Sequence, residues 1–328
     1  MRTLTLRTPD DCHLHLRDEA MLKRVVNHTA REFARAVVMP NLTPPVTTVS
    51  MAREYRQRIL DAVDSRYSFN PLMTLYLTDN TRVEDILEAS EQDWLIGAKL
   101  YPAGATTNSD SGVTSIVGLM PRLEKMAEIG LVLQVHGEVT DPHIDIFDRE
   151  AVFIEQVLQP ITHEIPELRI VLEHITTQQG IQFVESRGSN IAGTLTPQHL
   201  LFNRNQIFSG GIRPHHYCLP VLKREDHRAA LAAAATSGNP KFFLGTDSAP
   251  HLQQAKESAC GCAGCYTAHA AMPMYASLFE QYEALDRLEQ FASTAGANFY
   301  GLPLNEGTIT LEREPWEVPE KYCADGQD

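Results

Sequence analysis

The chain has 328 residues, 43% hydrophobic and 21% charged, which is enough apolar material to bury a large core around one α/β unit. Its formal net charge of −14 carries no Lys/Arg-rich run to attract a phosphate backbone, no stretch approaches the roughly 20 apolar residues of a membrane span, and no apolar leader precedes Asp10 and Asp11. A cytoplasmic protein that binds neither nucleic acid nor membrane is expected, and any anionic ligand must be held by a concentrated local positive site made of metals or buried arginines.

Short β-rich runs recur in chain order. The first ends in Cys12-His13-Leu14-His15, and Ala36 to Met39, Leu72 to Tyr76 and Ile96 to Leu100 follow. The series continues with Leu131 to Val135, Arg169 to Glu173, Ile191 to Leu195 and Lys241 to Gly245. Between most of them lie stretches of helical periodicity, at 50–63, 83–91, 117–129, 151–158 and 226–236. Eight strands that alternate with helices, each apolar along its length, predict a closed parallel (β/α)₈ TIM barrel as a single domain over 1–328. The Pro- and Glu-rich residues from about Arg313 read as an extended tail on the outside.

In such a barrel the C-terminal strand ends carry the chemistry. His13 and His15 end the first strand, Lys99 the fourth, His136 the fifth, His174 the sixth and Asp247 the eighth, so histidines, a lysine and a carboxylate converge on one rim. Alternation along a strand sends His13 and His15 to the same face, where both can grip one metal. Cys260, Cys262 and Cys265 also lie close together, but a structural zinc site takes paired clusters and no second pair stands at that spacing. They are expected to form a small-residue loop of reduced thiols.

These residues, with Asp10-Asp11-Cys12-His13-Leu14-His15-Leu16-Arg17-Asp18, Met39-Pro40-Asn41, Lys99-Leu100-Tyr101-Pro102, Val135-His136-Gly137-Glu138 and Gly245-Thr246-Asp247-Ser248-Ala249-Pro250-His251, resemble the binuclear metal-dependent amidohydrolases, and among them the compact bacterial-type (class II) dihydroorotases. The resemblance covers essentially the whole chain. It implies reversible, zinc-dependent cyclisation of N-carbamoyl-L-aspartate to L-dihydroorotate in pyrimidine biosynthesis, in a homodimer. It also implies two Zn²⁺ per chain: one on His13, His15 and Asp247, the second on His136 and His174, with Lys99 bridging them as a carbamate made from carbon dioxide. A plain ammonium between two cations would repel them, whereas a bridging anion lowers their mutual repulsion. Nitrogen and oxygen ligands suit zinc, with cobalt or manganese as possible substitutes.

By the same resemblance Asp247 is the catalytic base and acid. Arg17, Asn41 and His251 take the exocyclic carboxylate, the backbone of Leu219 and Ala263 meets the ring amide edges, and His15 and His136 also border the substrate. The stretch from Ala103 to Gly112, with Thr106 and Thr107, has little apolar content to anchor it and directly follows Lys99, as a lid would. Two rivals are a hydantoinase- or dihydropyrimidinase-like enzyme, sharing the metals but lacking the Arg17-Asn41-His251 set, and a metal-binding homologue without activity. Hydantoinases and their longer relatives carry a β-sandwich before and after the barrel, for which His13 comes too early in this chain.

Overall fold

A computed structural model describes residues 2–322. Eight parallel strands are hydrogen-bonded in sequence order, from β2 (Asp10–Leu14) through β3 (Arg35–Val38), β4 (Asn70–Tyr76), β5 (Leu95–Leu100), β6 (Val132–Val135), β7 (Ile170–Leu172) and β8 (Ile191–Leu195) to β9 (Phe242–Leu244). The ring closes where the Asp247 N–H donates to the His13 carbonyl at 2.8 Å and the His15 N–H to the Ser248 carbonyl at 2.9 Å. Two further strands were not anticipated: β1 (Thr3–Arg7) pairs antiparallel with β10 (Thr308–Glu312), bringing residues from near both ends of the chain together. Polar and apolar residues alternate along both strands, but nothing local specifies a partner 305 residues away, as at Thr5 and Thr310.

Period two within the strands decides what lies inside the barrel. Ala36 and Val38 of β3 pack outward with the helices. Val37 points the other way and joins Cys12, Val132, Val171, Ala192 and Phe243 in a separate interior layer, closed below by Tyr300. Gln134 Nε2 donates to the Tyr300 hydroxyl at 2.8 Å at the base of that layer. Two residues further along the same inward parity stand Met39, Glu173 and Thr194, and His136 stands four beyond Val132. A register shift between Asp11 and Leu14 brings His13, next to Cys12, to the same rim, so the site lies at the C-terminal end above an apolar plug.

The helices match their predicted spans to within a residue or two, and hydroxyl side chains begin several of them. Thr48, Ser115 and Thr177 each accept a hydrogen bond from the backbone N–H three residues on. The helix expected over 151–158 instead runs from Arg149 to Glu164. A π turn over Ile154–Leu158 carries it past Pro160, whose missing N–H interrupts any regular i→i−4 ladder. No described helix is long and apolar enough to cross a membrane. Residues 313–316 run along the outside, where Arg313 pairs with Glu280 at 3.2 Å and the Trp316 ring lies 6.4 Å from that of His269.

Candidate active site

The rim residues converge as their strand positions require. His15 Nε2 lies 3.1 Å and His13 Nε2 3.4 Å from Asp247 Oδ1, and candidate ligand atoms of the three residues all fall within 4.8 Å of one another. His174 sits against His13 and His136, with ring centroids 5.0 and 4.8 Å away. Lys99 is fully buried, its ammonium 5.2 Å from the centre of the Tyr101 ring. His13, His15, Arg17, Asn41, Thr106, Thr107, His136, His174, Leu219, Asp247 and Ala263 all line one cavity. His251 stands just behind it.

Backbone conformation aims these groups. Arg17, His174 and Asp247 have φ of 56°, 40° and 46°, in the left-handed region that residues with a Cβ seldom occupy. Such conformations persist only where surrounding contacts hold them. The His174 N–H donates to Thr194 Oγ1 at 2.7 Å, and the Tyr55 hydroxyl donates to the Arg17 carbonyl at 2.6 Å. Asp11 receives the N–H of His13 at 3.1 Å and both the N–H and hydroxyl of Thr246, at 2.9 and 2.5 Å, so it ties the first strand to the turn that presents Asp247.

Burial and charge tune the site. Burial pushes the Lys99 amine down to about 8, although the Glu173 and Asp247 carboxylates resist that shift. Burial likewise lowers His15 to about 4 and His174 well below the usual imidazole range. At Asp247 burial acts upward, but the imidazoles of His13, His15 and His174 outweigh it and hold the carboxyl well below its ordinary range. His13 goes up: burial lowers it, but the Glu173 carboxylate against its other nitrogen prevails.

Several contributors were not singled out from sequence. Glu173 lies 2.8 Å from His13 Nδ1 and accepts from Thr194 Oγ1 at 2.6 Å, while Glu138 lies 2.9 Å from His136 Nε2. Carboxylates of this kind fix the tautomer and direction of a metal-ligating imidazole. The available signal was inward parity: Glu173 follows Val171 by two residues, and Glu138 follows His136 by two. Tyr101, whose buried hydroxyl has no partner, also lines the cavity.

The residues fit a metal group by their unfilled valences. His13 Nε2, His174 Nδ1 and Lys99 Nζ are buried and make no hydrogen bond, and orphaning such groups costs about 1–3 kcal/mol each unless something else satisfies them. The cysteine loop does not compete. Cys265 turns its thiol to the His215 carbonyl at 3.4 Å, Cys260 and Cys262 lie 3.7 Å apart, and the metal-compatible group found among the described residues is His13, His15 and Asp247.

A second set of contacts surrounds Arg17. Its Nη2 lies 3.0 Å from His251 Nε2 and its Nε donates to the Pro250 carbonyl at 3.2 Å. Asn41 Oδ1 meets His15 Nδ1 at 2.8 Å, and Asn41 Nδ2 donates to the Thr107 carbonyl at 3.0 Å. The Thr107 hydroxyl donates to the Ala263 carbonyl at 3.3 Å, which also receives His251 Nε2 at 3.0 Å. The loop bearing Thr106 and Thr107 therefore lies folded over the cavity.

Comparison with known proteins agrees with this geometry. Residues 11–316 match the amidohydrolase family. A dihydroorotase from Laribacter hongkongensis is 63% identical over 320 residues, 97% of this chain and 93% of that protein. The crystal structure of a dihydroorotase from Campylobacter jejuni superposes with a TM-score of 0.90 at 36% identity, covering 99% of this chain and 93% of the other. The L-hydantoinase of Arthrobacter aurescens, at 17% identity, TM-score 0.76, 91% of this chain and 72% of its own, shares the fold alone. The chain belongs to the amidohydrolase family and, within it, to the dihydroorotases.

Proposed function

We propose that the chain opens and closes the dihydroorotate ring, interconverting L-dihydroorotate and N-carbamoyl-L-aspartate. The observation that carries this reading is one cavity lined both by imidazoles around Asp247 and by Arg17 with Asn41, a hydrolytic centre beside a carboxylate clamp. A hydantoinase-like substrate has no carboxylate to use that clamp.

His13, His15 and Asp247 would hold one zinc ion and His136 and His174 a second, with Lys99 between them. The Lys99 amine, lowered to about 8 by burial, is neutral in an appreciable fraction of molecules near neutral pH, and a neutral amine is the form that takes up carbon dioxide as carbamate. Bound there, the cations supply a Lewis acid for the amide carbonyl and lower the pKa of water from 15.7 toward about 7.

The chain's own groups do the rest. Arg17 presents a planar fork to the exocyclic carboxylate, and Asn41 and His251 complete the clamp. Leu219 and Ala263 offer backbone groups to the ring amide edges. Asp247 accepts the proton of the attacking water at a carboxylate oxygen and returns it to the leaving nitrogen, and in ring closure it runs these transfers backwards. Thr106 and Thr107, over the cavity mouth, exclude bulk water while this happens. Ring closure consumes a proton and releases water, so low pH favours dihydroorotate.

The test is a ring-opening assay followed in the ultraviolet on purified, metal-analysed protein, with dihydroorotate, dihydrouracil and hydantoin side by side. Strong preference for dihydroorotate with about two metals per chain is expected; equal or better turnover of the two uncharged rings would overturn the assignment.

A further inference from the structure

Lys256 ends a short helix (Gln253–Lys256) and is 97% buried, leaving 3% of its surface exposed. Its ammonium donates to three backbone carbonyls, those of Tyr217 at 2.9 Å, Cys262 at 2.7 Å and Gly264 at 2.9 Å. Three donated protons require the charged form, because a neutral amine has only two. Desolvating an ammonium in this way is expensive, and here it is offset by backbone dipoles.

The placement of those carbonyls matters. Cys262 and Gly264 flank Ala263, and Tyr217 precedes Leu219 by two residues, so one side chain ties together both segments assigned to the ring edges. The segments also meet directly, where the Gly264 N–H donates to the same Tyr217 carbonyl at 3.0 Å, where the Cys265 thiol donates to the His215 carbonyl at 3.4 Å and where Cys218 packs with Cys265. Room there is narrow: a Cβ on Gly264 would meet the Ala249 carbonyl at 2.7 Å. The Ala263 carbonyl is left out of the lysine's grip and faces Thr107 and His251 instead.

Charge adds to position. The chain carries −14 overall, yet its substrate is anionic. Beside the clamp, burial and the Arg17 charge push His251 down to about 3, so His251 is neutral and Arg17 is the clamp's own cation. Lys256 lines, together with His251, a neighbouring cavity that shares Ala249 and Gly264 with the substrate cavity.

We infer that Lys256 is a positioning residue for substrate binding: it holds the Leu219 and Ala263 segments in register and supplies a second positive charge behind the carboxylate clamp. This rests on the reading of the site given above. It touches neither substrate nor metal ligand, so its loss acts on affinity and leaves the proton transfers at Asp247 in place.

The experiment measures kcat and KM for ring opening and ring closure in the wild type, Lys256→Met, Lys256→Gln and Lys256→Arg, each with metal content and melting temperature. Lys256→Met is expected to raise KM at least about tenfold in both directions, with kcat within about threefold and metal content unchanged. Lys256→Gln, which keeps two donors without the charge, falls between, and Lys256→Arg recovers part of the affinity. An unchanged KM in Lys256→Met, or a loss confined to kcat or to metal content, overturns the inference. Should Lys256→Met fail to fold, Lys256→Gln decides by the same criteria. A wild type that does not open dihydroorotate would instead refute the reading of the site, so the two failures are distinguishable.

Discussion

On the proposed reading Arg17 sets the choice of substrate, whereas Lys99 belongs to the metal centre that other amide hydrolases would share. Arg17 is half-buried against His251 and Pro250, and on the proposed reading removing it leaves the substrate carboxylate unpaired, a loss of roughly 2–5 kcal/mol. At about 1.4 kcal/mol per tenfold, Arg17→Met should lower kcat/KM for dihydroorotate by some 30-fold to several thousand-fold. Slow turnover of dihydrouracil, which lacks the carboxylate, should change little; parallel losses on both rings would make Arg17 a support of the metal site. Lys99→Ala should abolish nearly all turnover and release at least one metal, and short carboxylic acids should restore part of both by taking the place of a carbamate. Full activity in Lys99→Ala would exclude a bridging lysine.

At the scale of elements, the strands set the site's tolerance. Gly245 follows β9 on the inward parity, and a Cβ there would meet Thr194 Cβ at 2.8 Å and His13 Cβ at 3.0 Å. Both neighbours are buried and fixed, Thr194 by Glu173 and His13 by Glu173 and Asp11. Gly245→Ala must therefore push β9 away from β2 and displace Asp247 from His13 and His15. Loss of metal affinity by about 10- to 100-fold is expected, the range typical when ligand supports are disturbed, with a smaller change in secondary structure. Metal titration of the apo variant monitored by calorimetry decides it, and wild-type affinity would show that the barrel wall yields.

For the whole molecule, acid stability follows from histidines buried as neutral rings. His199 sits between Thr196 Oγ1 at 2.6 Å from Nδ1 and the Pro220 carbonyl at 2.9 Å from Nε2, and burial pushes it down to about 4. The unfolded chain, with an ordinary imidazole near 6.5, binds the proton first as pH falls. This depressed group thus contributes stability that is fully present above about 6.5 and is lost as pH falls toward about 4, on the order of 3 kcal/mol across that window. His199→Gln should flatten the acid arm of melting temperature against pH relative to wild type. An identical pH profile in the two proteins would mean that other groups carry the acid sensitivity.

The sequence by itself determined the barrel, its strand order and the rim residues, because eight apolar runs alternating with helices have few ways to bury both faces of a parallel sheet. Once strand ends were placed, His13, His15, Lys99, His136, His174 and Asp247 had to share one rim. Tertiary structure decided what spacing does not encode. Glu173 and Glu138 read as ordinary polar residues until the fold brings them against His13 and His136. The pairing of β1 with β10 depends on where the chain ends meet, and the left-handed backbone at His174 and Asp247 depends on contacts from neighbouring strands. Lys256 is the clearest case: a lysine near a glycine-rich loop has no local signature, and its three partners are backbone carbonyls, which every residue possesses and which only folding selects.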